Sequence, residues 1–346
     1  MISNEAYIEC VPNFSEGRNI ETINAIADSI RSVDGVRVLH IDCGEAANRT
    51  VITFVGQARD VVEAAFRMVK CASELIDMRT HLGEHPRIGA TDVLPLIPLK
   101  NITLAECAEL ARALAERIYK ELGIPTYCYE ASAYLPEHVN LADCRRGEYE
   151  GLRDKMLDPV MHPDFGGETY TPQVARSGAT VVGARNFLIA VNFNLNTSSR
   201  ESAAAIASRV RASGEVCRDA EGNVVRDEKG RALRRPGLLR GCKAIGWYIE
   251  EYGCAQVSMN INDVALCPIH TAYETVCRVA HEQGVEVTGT ELIGLIPEDC
   301  MIEAGRYFAR KQGRRLEENG EFVSLAIRSM QMEDLGPFDT EQRILR

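Results

Sequence analysis

Hydrophobic positions in the first 132 residues alternate between helical and strand spacing. Isoleucines recur three or four positions apart from Ile20 to Ile30, which predicts an amphipathic helix over residues 20–33. Thr103 and Glu106 form a capping-box pair, and Gly123 marks the end of the helix that they begin. The pattern as a whole predicts strands over 7–14, 36–42, 50–56, 92–99 and 125–132, and helices over 20–33, 59–78 and 104–122. Prolines within 92–99 indicate an edge or irregular strand.

The same order of elements restarts after a loop-rich stretch over residues 134–180. Strands are predicted over 186–194, 242–250, 254–262 and 285–295, and helices over 200–213 and 268–283. Both halves therefore read β-α-β-β-α-β, the split βαβ or ferredoxin-like order of an α/β (α+β) protein. Residues 25–31 also resemble residues 205–211, which favours a duplicated module over chance similarity between alanine-rich helices.

The proposed division of the chain follows from this repeat. We expect an N-terminal subdomain over 1–180, a C-terminal subdomain over 181–300 and a helical extension over 301–346. The length of 346 residues fits two cores better than one.

Charge and cysteine content exclude several classes of protein. With 39 basic and 50 acidic side chains the net charge is −11, which argues against nonspecific binding to nucleic acid or anionic membranes. No apolar run approaches the length of a membrane span. The 12 cysteines show no Cys-x-x-Cys spacing and no secretory leader precedes them, so we expect reduced thiols in a cytoplasmic protein.

One local stretch reverses the acidic balance. The charged, glycine-containing insert over 214–237 reads as a solvated hairpin or flexible loop. Between Lys229 and Lys243 lie six bases and no acid, namely Lys229, Arg231, Arg234, Arg235, Arg240 and Lys243. This basic stripe is either an anion-attracting surface or an ordinary solvated loop.

The segment 79–92, RTHLGEHPRIGATD, holds the densest group of reactive side chains. His81 and His85 are four residues apart, as in a zinc-binding helix, but Gly83 and Pro86 disfavour a helix there. No metal site is therefore expected. A histidine in such a loop is suited to proton transfer, because its pKa lies near the working pH.

Other side chains of this segment suit supporting roles. Arg87 can bind a carboxylate with two hydrogen bonds, and Glu84 or Asp92 can orient an imidazole. A rigid turn whose polar groups cap neighbouring elements is the alternative interpretation.

Three further clusters are candidates for ligand contact. Asp42 ends a predicted strand and is followed by Asn48 and Arg49, residue types that also form turns. In residues 159–173, PVMHPDFGGETYTPQ, two glycines follow an aromatic residue, which permits close approach of a flat ligand to the backbone. A plain interdomain linker would show much the same pattern. Paired amides at Asn192 and Asn194 suit hydrogen bonding to a heterocycle.

Seven segments in order along the chain resemble the glutamate formimidoyltransferase (glutamate formiminotransferase) family. They are ECVPNFSEGRN (9–19), NRTVITFVG (48–56), GEHPRIGATDVLPLIPL (83–99), HPDFGG (162–167), GATVVGARNFLIAVNFNL (178–195), EEYGCAQVSMNINDV (250–264) and TELIGLIP (290–297).

The resemblance implies a folate-dependent transferase of histidine degradation. Such enzymes move the formimino group from N-formimino-L-glutamate to N5 of the co-substrate tetrahydrofolate, without a metal. The implied fold is two α/β subdomains with a folate tunnel between them, in a homodimer. The length implies the stand-alone form rather than a fusion to a cyclodeaminase.

The family's catalytic histidine falls on His85, within the GEHPR motif, and its folate-contacting loop falls on about 163–172. We further expect Asp42 to orient His85 or to hold the amidinium, and Arg49, Arg87 and Arg185 to bind carboxylates. The candidate substrate-binding residues are Asn13, Asn48, Arg49, Glu84, Arg87, Pro163, Asp164, Phe165, Gly166, Gly167, Pro172, Arg185, Asn192 and Asn194. Two alternatives stay open at this point: formyl transfer between 5-formyltetrahydrofolate and glutamate, and a folate-binding protein without catalysis.

Overall fold

The chain folds into two units, residues 1–186 and 187–346. The structure, a computed structural model, describes residues 5–83, 85–167, 169–228 and 230–345. Both units combine helices and sheets, so the α/β (α+β) class predicted from the sequence is confirmed.

The first unit contains seven strands, six α-helices and one short 3-10 helix (Pro136–His138) within its described residues. The strands are β1 (Tyr7–Cys10), β2 (Asn13–Phe14), β3 (Arg37–Gly44), β4 (Arg49–Gln57), β5 (Thr91–Lys100), β6 (Thr126–Glu130) and β7 (Thr180–Ala184). The helices are α1 (Ile20–Arg31), α2 (Ala58–Leu75), α3 (Leu104–Leu122), α4 (Leu141–Cys144), α5 (Leu152–Lys155) and α6 (Pro172–Ser177).

The second unit has eight strands and five helices in the part that the structure describes. The strands are β8 (Ile189–Leu195), β9 (Glu215–Val216), β10 (Arg234–Arg235), β11 (Cys242–Ile249), β12 (Cys254–Ile261), β13 (Val287–Ile293), β14 (Ile296–Pro297) and β15 (Ile344–Leu345). The helices are α7 (Arg200–Val210), α8 (Ile269–His281), α9 (Glu298–Lys311), α10 (Asn319–Ser329) and α11 (Thr340–Arg343).

The main sheets of the two units share one strand order. In the first unit β1 and β2 both pair with β4 on one side and with β5 on the other, so they are treated together as the β1–β2 strand. The sheet order is β3, β4, the β1–β2 strand and β5, and each neighbouring pair is antiparallel. In the second unit β11, β12, β8 and β13 follow the same order, again antiparallel throughout. The first sheet continues past β5 with β7 and β6, which run parallel to it and to each other.

The prolines over 92–99 predict an edge or irregular strand, and β5 is irregular but not at an edge, because it lies inside the sheet between the β1–β2 strand and β7. Proline is tolerated there because the neighbouring strand is interrupted at residues 11–12, opposite Pro95. At that point the Val11 N–H donates to the Pro95 carbonyl over 3.4 Å. Pro98 pairs with Ile8, beside a shift of register in the same ladder.

Strand β7 was not predicted from the sequence. Its residues are all buried, and its register partners are β5 and β6. A short strand buried in a parallel pairing shows no alternation of polar and apolar residues, which is why the sequence pattern did not reveal it.

The first unit packs side chains on both faces of its sheet, whereas the second unit packs its core against one face. In the second unit Val191 and Phe193 of β8 pack with Ile206 of α7 and Val276 of α8. The C-terminal helices α9 and α10 contribute to this core, for example through Phe308.

The insert after α7 forms the short antiparallel pair β9–β10. Two bases of the basic stripe over 229–243 are occupied within this insert, since Arg231 pairs with Asp227 at 2.8 Å and Arg234 donates to the Gly214 carbonyl at 3.1 Å. Lys229, the first base of the stripe, lies outside the described residues. The expected attraction of anions by this stripe stays a prediction.

Helix α3 confirms the predicted caps. The Glu106 N–H donates to the Thr103 Oγ1 over 3.2 Å, and the Thr103 N–H donates to the Glu106 carboxylate over 2.8 Å. Gly123 closes the helix with a left-handed φ of 68°.

We therefore expect Thr103→Ala to lower the free energy of unfolding by about 0.5–2 kcal/mol, because an N–H at the start of α3 loses its acceptor. Thr103→Ser keeps the hydroxyl and should unfold near the wild-type urea midpoint. Equal midpoints for the alanine variant and the wild type would contradict the capping assignment.

Candidate active site

The described residues between α2 and β5 lie outside helices and strands, and His85 among them contacts Arg49 at the start of β4. Its end is fastened to the chain after β2, where the Ser15 N–H donates to the Ala90 carbonyl over 2.9 Å. The Ser15 hydroxyl donates to the Gly89 carbonyl over 2.8 Å. The loop is thus held at its exit into β5 by the segment that follows β2.

His85 is half-buried, and both of its ring nitrogens have partners. Nδ1 lies 2.7 Å from the Pro86 carbonyl oxygen, and Nε2 lies 2.5 Å from a guanidinium nitrogen of Arg49. Because a carbonyl only accepts and a guanidinium only donates, the proton is on Nδ1 and Nε2 presents its lone pair. Burial, together with the charges of Arg49 and Arg145, lowers the pKa of His85 to about 2. The ring is therefore a neutral hydrogen-bond acceptor.

Arg49 is the first residue of β4. It contacts His85 and lies near other charged side chains. Burial and the neighbouring Arg145 lower the pKa of Arg49 to about 10, while the carboxylates of Asp92 and Asp42 oppose that change. Asp42 therefore acts on the site through the charge of Arg49. The nitrogens of His85 are already engaged by Pro86 and Arg49.

A buried ion pair lies behind these residues. Arg145 donates to both carboxylate oxygens of Asp92, one of them over 3.2 Å, and the Ile88 N–H donates to the same carboxylate over 3.0 Å. The Asp92 side chain is only 1% exposed, so its charge depends on this pairing. Asp92 was expected to orient a histidine; instead it holds Arg145. The sequence analysis missed Arg145, and its separation of 53 residues from Asp92 left no local signal.

Asn48 joins three segments of the site. Its side-chain oxygen accepts from the Gly17 N–H over 3.0 Å, and its amide donates to the Leu82 carbonyl over 2.8 Å. Its own carbonyl is 3.0 Å from His81 Nε2. Asn48 is buried and has a left-handed φ of 46°. Its side chain thus positions the loops rather than facing outward.

His81 and Arg87 form a separate group. Since His81 Nε2 faces a carbonyl, Nδ1 is free to accept, and Arg87 Nε donates to it over 3.3 Å. The rest of the Arg87 guanidinium pairs with Glu150 at 2.6 Å and Glu148 at 3.0 Å. Burial lowers the pKa of His81, and its imidazole is fully engaged in this network.

The glycine-containing loop over 163–167 is fastened to β6. Asp164 accepts from the Cys128 N–H over 2.7 Å and contacts buried His138 Nδ1 at 2.9 Å. Phe165 forms a backbone bridge with Thr126. Pro172 is the first residue of α6, behind the capping residue Thr171.

Close packing explains the glycines of this loop. A Cβ on Gly166 would lie 2.6 Å from the Tyr119 ring, and one on Gly167 would lie 2.7 Å from Pro163. Both glycines also have positive φ, which other residues rarely adopt.

Arg185 follows β7 and lies near a buried carboxyl group. Burial raises the pKa of Glu9 to about 7, and the charge of Arg185 counteracts that rise. One Glu9 oxygen has no hydrogen-bond partner among the described residues. The sequence analysis did not identify Glu9. Asn13 is half-buried in β2, with its amide 3.4 Å from the Val11 carbonyl, and Glu84 lies outside the described residues.

The second unit places Asn192 and Asn194 on β8, both buried. Their amides donate to Glu291 over 2.8 Å and to Asp334 over 3.5 Å. Gln256 bonds to Asn194 over 2.7 Å. The sequence analysis missed Gln256 and Glu291, whose strand positions become neighbours only through sheet pairing.

The described residues contain no group of three or more His, Cys, Asp or Glu side chains arranged to hold a metal ion. In the same residues no helix combines the length and the apolar character that a membrane crossing requires.

Comparison with known proteins defines the class. Residues 7–185 match the formiminotransferase domain, N-terminal subdomain, and residues 190–346 match the formiminotransferase domain. The chain therefore belongs to the formiminotransferase family.

Individual relatives refine the comparison. The chain is 42% identical over 301 residues to glutamate formimidoyltransferase of Streptococcus pyogenes serotype M1, which covers 87% of this chain and 92% of the relative. It is 39% identical over 308 residues to glutamate formimidoyltransferase of Thermoplasma acidophilum, covering 88% and 93%. It is 41% identical over 338 residues to formimidoyltransferase-cyclodeaminase of Rattus norvegicus, covering 98% of this chain but 59% of that protein. The chain thus spans about three-fifths of the length of the Rattus norvegicus protein.

The geometry separates the two histidines of the loop by role. We expect His85→Ala to lower turnover by about 10²–10⁴-fold, because it removes Nε2, the ring nitrogen whose lone pair faces Arg49. Binding of a tetrahydrofolate analogue should persist. His81→Ala should retain more turnover and instead lower the thermal midpoint, since it breaks contacts with Asn48 and Arg87. Steady-state kinetics and thermal unfolding of both purified variants test this, and a larger loss of turnover in His81→Ala would reverse the assignment.

Proposed function

We propose that the protein transfers the formimino group of N-formimino-L-glutamate to N5 of tetrahydrofolate, giving 5-formiminotetrahydrofolate and L-glutamate. The observation that carries this proposal is the neutral His85, whose Nε2 lone pair is held next to Arg49. The names of the relatives from Streptococcus pyogenes and Thermoplasma acidophilum support the same activity.

The reaction exchanges one carbon–nitrogen bond for another. N5 attacks the amidine carbon and loses a proton, and the bond from that carbon to the glutamate nitrogen then breaks as this nitrogen gains a proton. No electrons are transferred to an external acceptor. One imidazole that accepts the first proton and delivers the second satisfies this balance, and we assign that role to His85.

The charges around His85 link its basicity to substrate binding. With Arg49 and Arg145 nearby, the imidazole is a poor base, as its lowered pKa shows. Both substrates carry carboxylates, and a carboxylate on Arg49 offsets the positive charge that faces Nε2. We infer that substrate binding raises the basicity of His85 at the moment when a proton must be accepted. Asp42 contributes through its charge on Arg49.

Other candidate residues have positioning roles in this proposal. Asn48 sets the loop, and Arg87 holds it through Glu148 and Glu150, so Arg49 and Arg185 are left as the proposed carboxylate ligands. The loop over 163–172, Asn13, Glu84, Asn192 and Asn194 stay proposed contacts of the substrates.

The common strand order of the two sheets supports our inference that each unit is a ferredoxin-like subdomain. The bounds 1–180, 181–300 and 301–346, the substrate tunnel, the homodimer and the cytoplasmic location stay predictions from the sequence.

The decisive assay measures release of L-glutamate from N-formimino-L-glutamate with and without tetrahydrofolate. We expect release only when tetrahydrofolate is present, with one 5-formiminotetrahydrofolate formed for each glutamate. Replacing the formimino donor by 5-formyltetrahydrofolate plus glutamate tests formyl transfer. Folate binding without any release of glutamate would favour a binding protein and would reject the proposed activity.

The electrostatic role of Arg49 gives a separate prediction. With a pKa of about 2, His85 should stay neutral from pH 5 to pH 8 in the free protein. Arg49→Gln removes one of the charges that disfavour the imidazolium, so the pKa of His85 should rise. NMR titration of the histidine ring signals, assigned with His85→Ala, measures this directly.

Arg79→Gln is the matched control, because Arg79 is exposed in the same loop and pairs with Asp77. It should leave the titration of His85 unchanged. An unchanged His85 titration in Arg49→Gln would show that Arg49 does not control its basicity.

A further inference from the structure

The face of the second sheet opposite to α7 and α8 carries a continuous polar network. Alternation along β8 directs Val191 and Phe193 into the core with α7 and α8, and Asn192 and Asn194 to the opposite face. Register places Gln256 across from Asn194, and Glu291 across from Asn192. Trp247 of β11 lies across from Gln256. Three neighbouring strands thus supply amides and an indole that converge towards Glu291 of β13.

The direction of every hydrogen bond in the network follows from its end members. The indole N–H of Trp247 only donates, and it lies 3.0 Å from Gln256 Oε1. The Gln256 amide must therefore donate, to Asn194 Oδ1 over 2.7 Å and to Glu291 over 3.2 Å. With its oxygen so occupied, Asn194 directs its own amide at Asp334. The series of donors starts at the indole, passes through the amides and ends on the carboxylates of Glu291 and Asp334.

Glu291 is held as an acceptor with spare capacity. Oε2 accepts from Asn192 over 2.8 Å and from Gln256 over 3.2 Å, and Oε1 accepts from the Tyr252 hydroxyl over 3.0 Å. A carboxylate has about four acceptor positions, so one remains on Oε1. Within the described part of the chain no lysine, arginine or histidine forms an ion pair with Glu291.

A purely structural role accounts poorly for this arrangement. Apolar residues fill the other face of the same strands, and replacing a buried polar network by packed apolar side chains is often neutral or stabilising. Asn192, Asn194 and Gln256 are at most 5% exposed, whereas Glu291 is half-buried. The network therefore presents an oriented carboxylate at its more accessible end, linked through Gln256 to the indole of Trp247.

We propose that Glu291 binds the donor edge of the pterin ring of tetrahydrofolate, accepting from its 2-amino group or N3–H, while Trp247 lies beside the ring. The proposal rests on the proposed function, because it takes tetrahydrofolate as the ligand. That edge of the pterin offers adjacent N–H donors on a flat ring, which complements an anchored acceptor that has no cation partner. The amidine of N-formimino-L-glutamate also offers N–H donors, but it has no ring to set beside Trp247.

Trp247 provides the readout, since it is the single tryptophan of the 346-residue chain. Titration of the full chain with 5-formyltetrahydrofolate should change its fluorescence, and calorimetry gives the affinity. Glu291→Gln should weaken that affinity by about 10- to 100-fold, the range for losing a hydrogen bond to a charged group. It should leave the affinity for N-formimino-L-glutamate unchanged.

Glu286→Gln is the matched control, because Glu286 precedes the same strand but is exposed and pairs with His281 at 2.7 Å. It should bind both ligands as the wild type does. A folate analogue without the 2-amino group supplies a test that needs no altered protein. It should bind the wild type about 10- to 100-fold more weakly than 5-formyltetrahydrofolate, and Glu291→Gln should bind the two folates nearly equally.

Each other outcome decides the matter. Equal folate affinity in Glu291→Gln and the wild type, or a wild type indifferent to the 2-amino group, overturns the proposal. A loss of N-formimino-L-glutamate binding in Glu291→Gln assigns the carboxylate to the amidine and also overturns it. Folate binding that depends on Glu291 in a protein without transferase activity rejects the proposed function alone. A wild type that binds no folate rejects both.

Discussion

The candidate active site depends on the side chain of Asn48. Asn48 lies in the turn before β4. Its side-chain amide bonds to Gly17 in the chain after β2 and to Leu82 in the loop before β5, and each of these residues is more than 30 positions away from it. These segments pack closely at two glycines. A Cβ added to Gly17 would lie 2.3 Å from the Gly44 backbone oxygen, and a Cβ added to Gly83 would lie 2.4 Å from the Ala47 backbone oxygen. Arg49 begins β4 at this junction and therefore meets His85 in a defined direction. The geometry is set before any substrate arrives, which lowers the entropy that binding must remove.

The charge around His85 is opposite in sign to the net charge of the chain. The protein carries a net charge of −11, yet the neutral ring of His85 faces Arg49, with Arg145 behind it. Burying two guanidinium groups is costly, and the carboxylates of Asp92 and Asp42 offset part of that cost. The pairing leaves positive potential on the side of Arg49 that faces His85. Positive potential of this kind attracts anions despite the net charge of the protein.

Local features were predictable from the sequence, and features made by distant pairing were not. The helical periodicity of α1 and the capping box of α3 lie within a few residues, so both were predicted close to their observed bounds. His85 could be proposed as the proton-transfer residue from its loop and its family motif. The position of Arg145 in the site could not be predicted, because its partner Asp92 is 53 residues away. The side chain of Asn48 was expected to face a substrate, but the structure directs it at backbone groups 31 and 34 residues distant. Spacing carries no information about such contacts.

The two prolines of β5 also restrict how the chain can fold. Pro95 faces the interruption between β1 and β2, and Pro98 lies beside the register shift near Ile8, so the missing N–H groups fall where the ladder is already irregular. Sliding β5 by one residue would move the positions without an N–H into regular parts of the ladder. It would also exchange the side chains that fill the two clusters beside the strand, Leu94 and Leu96 on one face and Val93 on the other. The central strand of the first unit therefore rejects misaligned pairings during folding, and its sequence selects a single register.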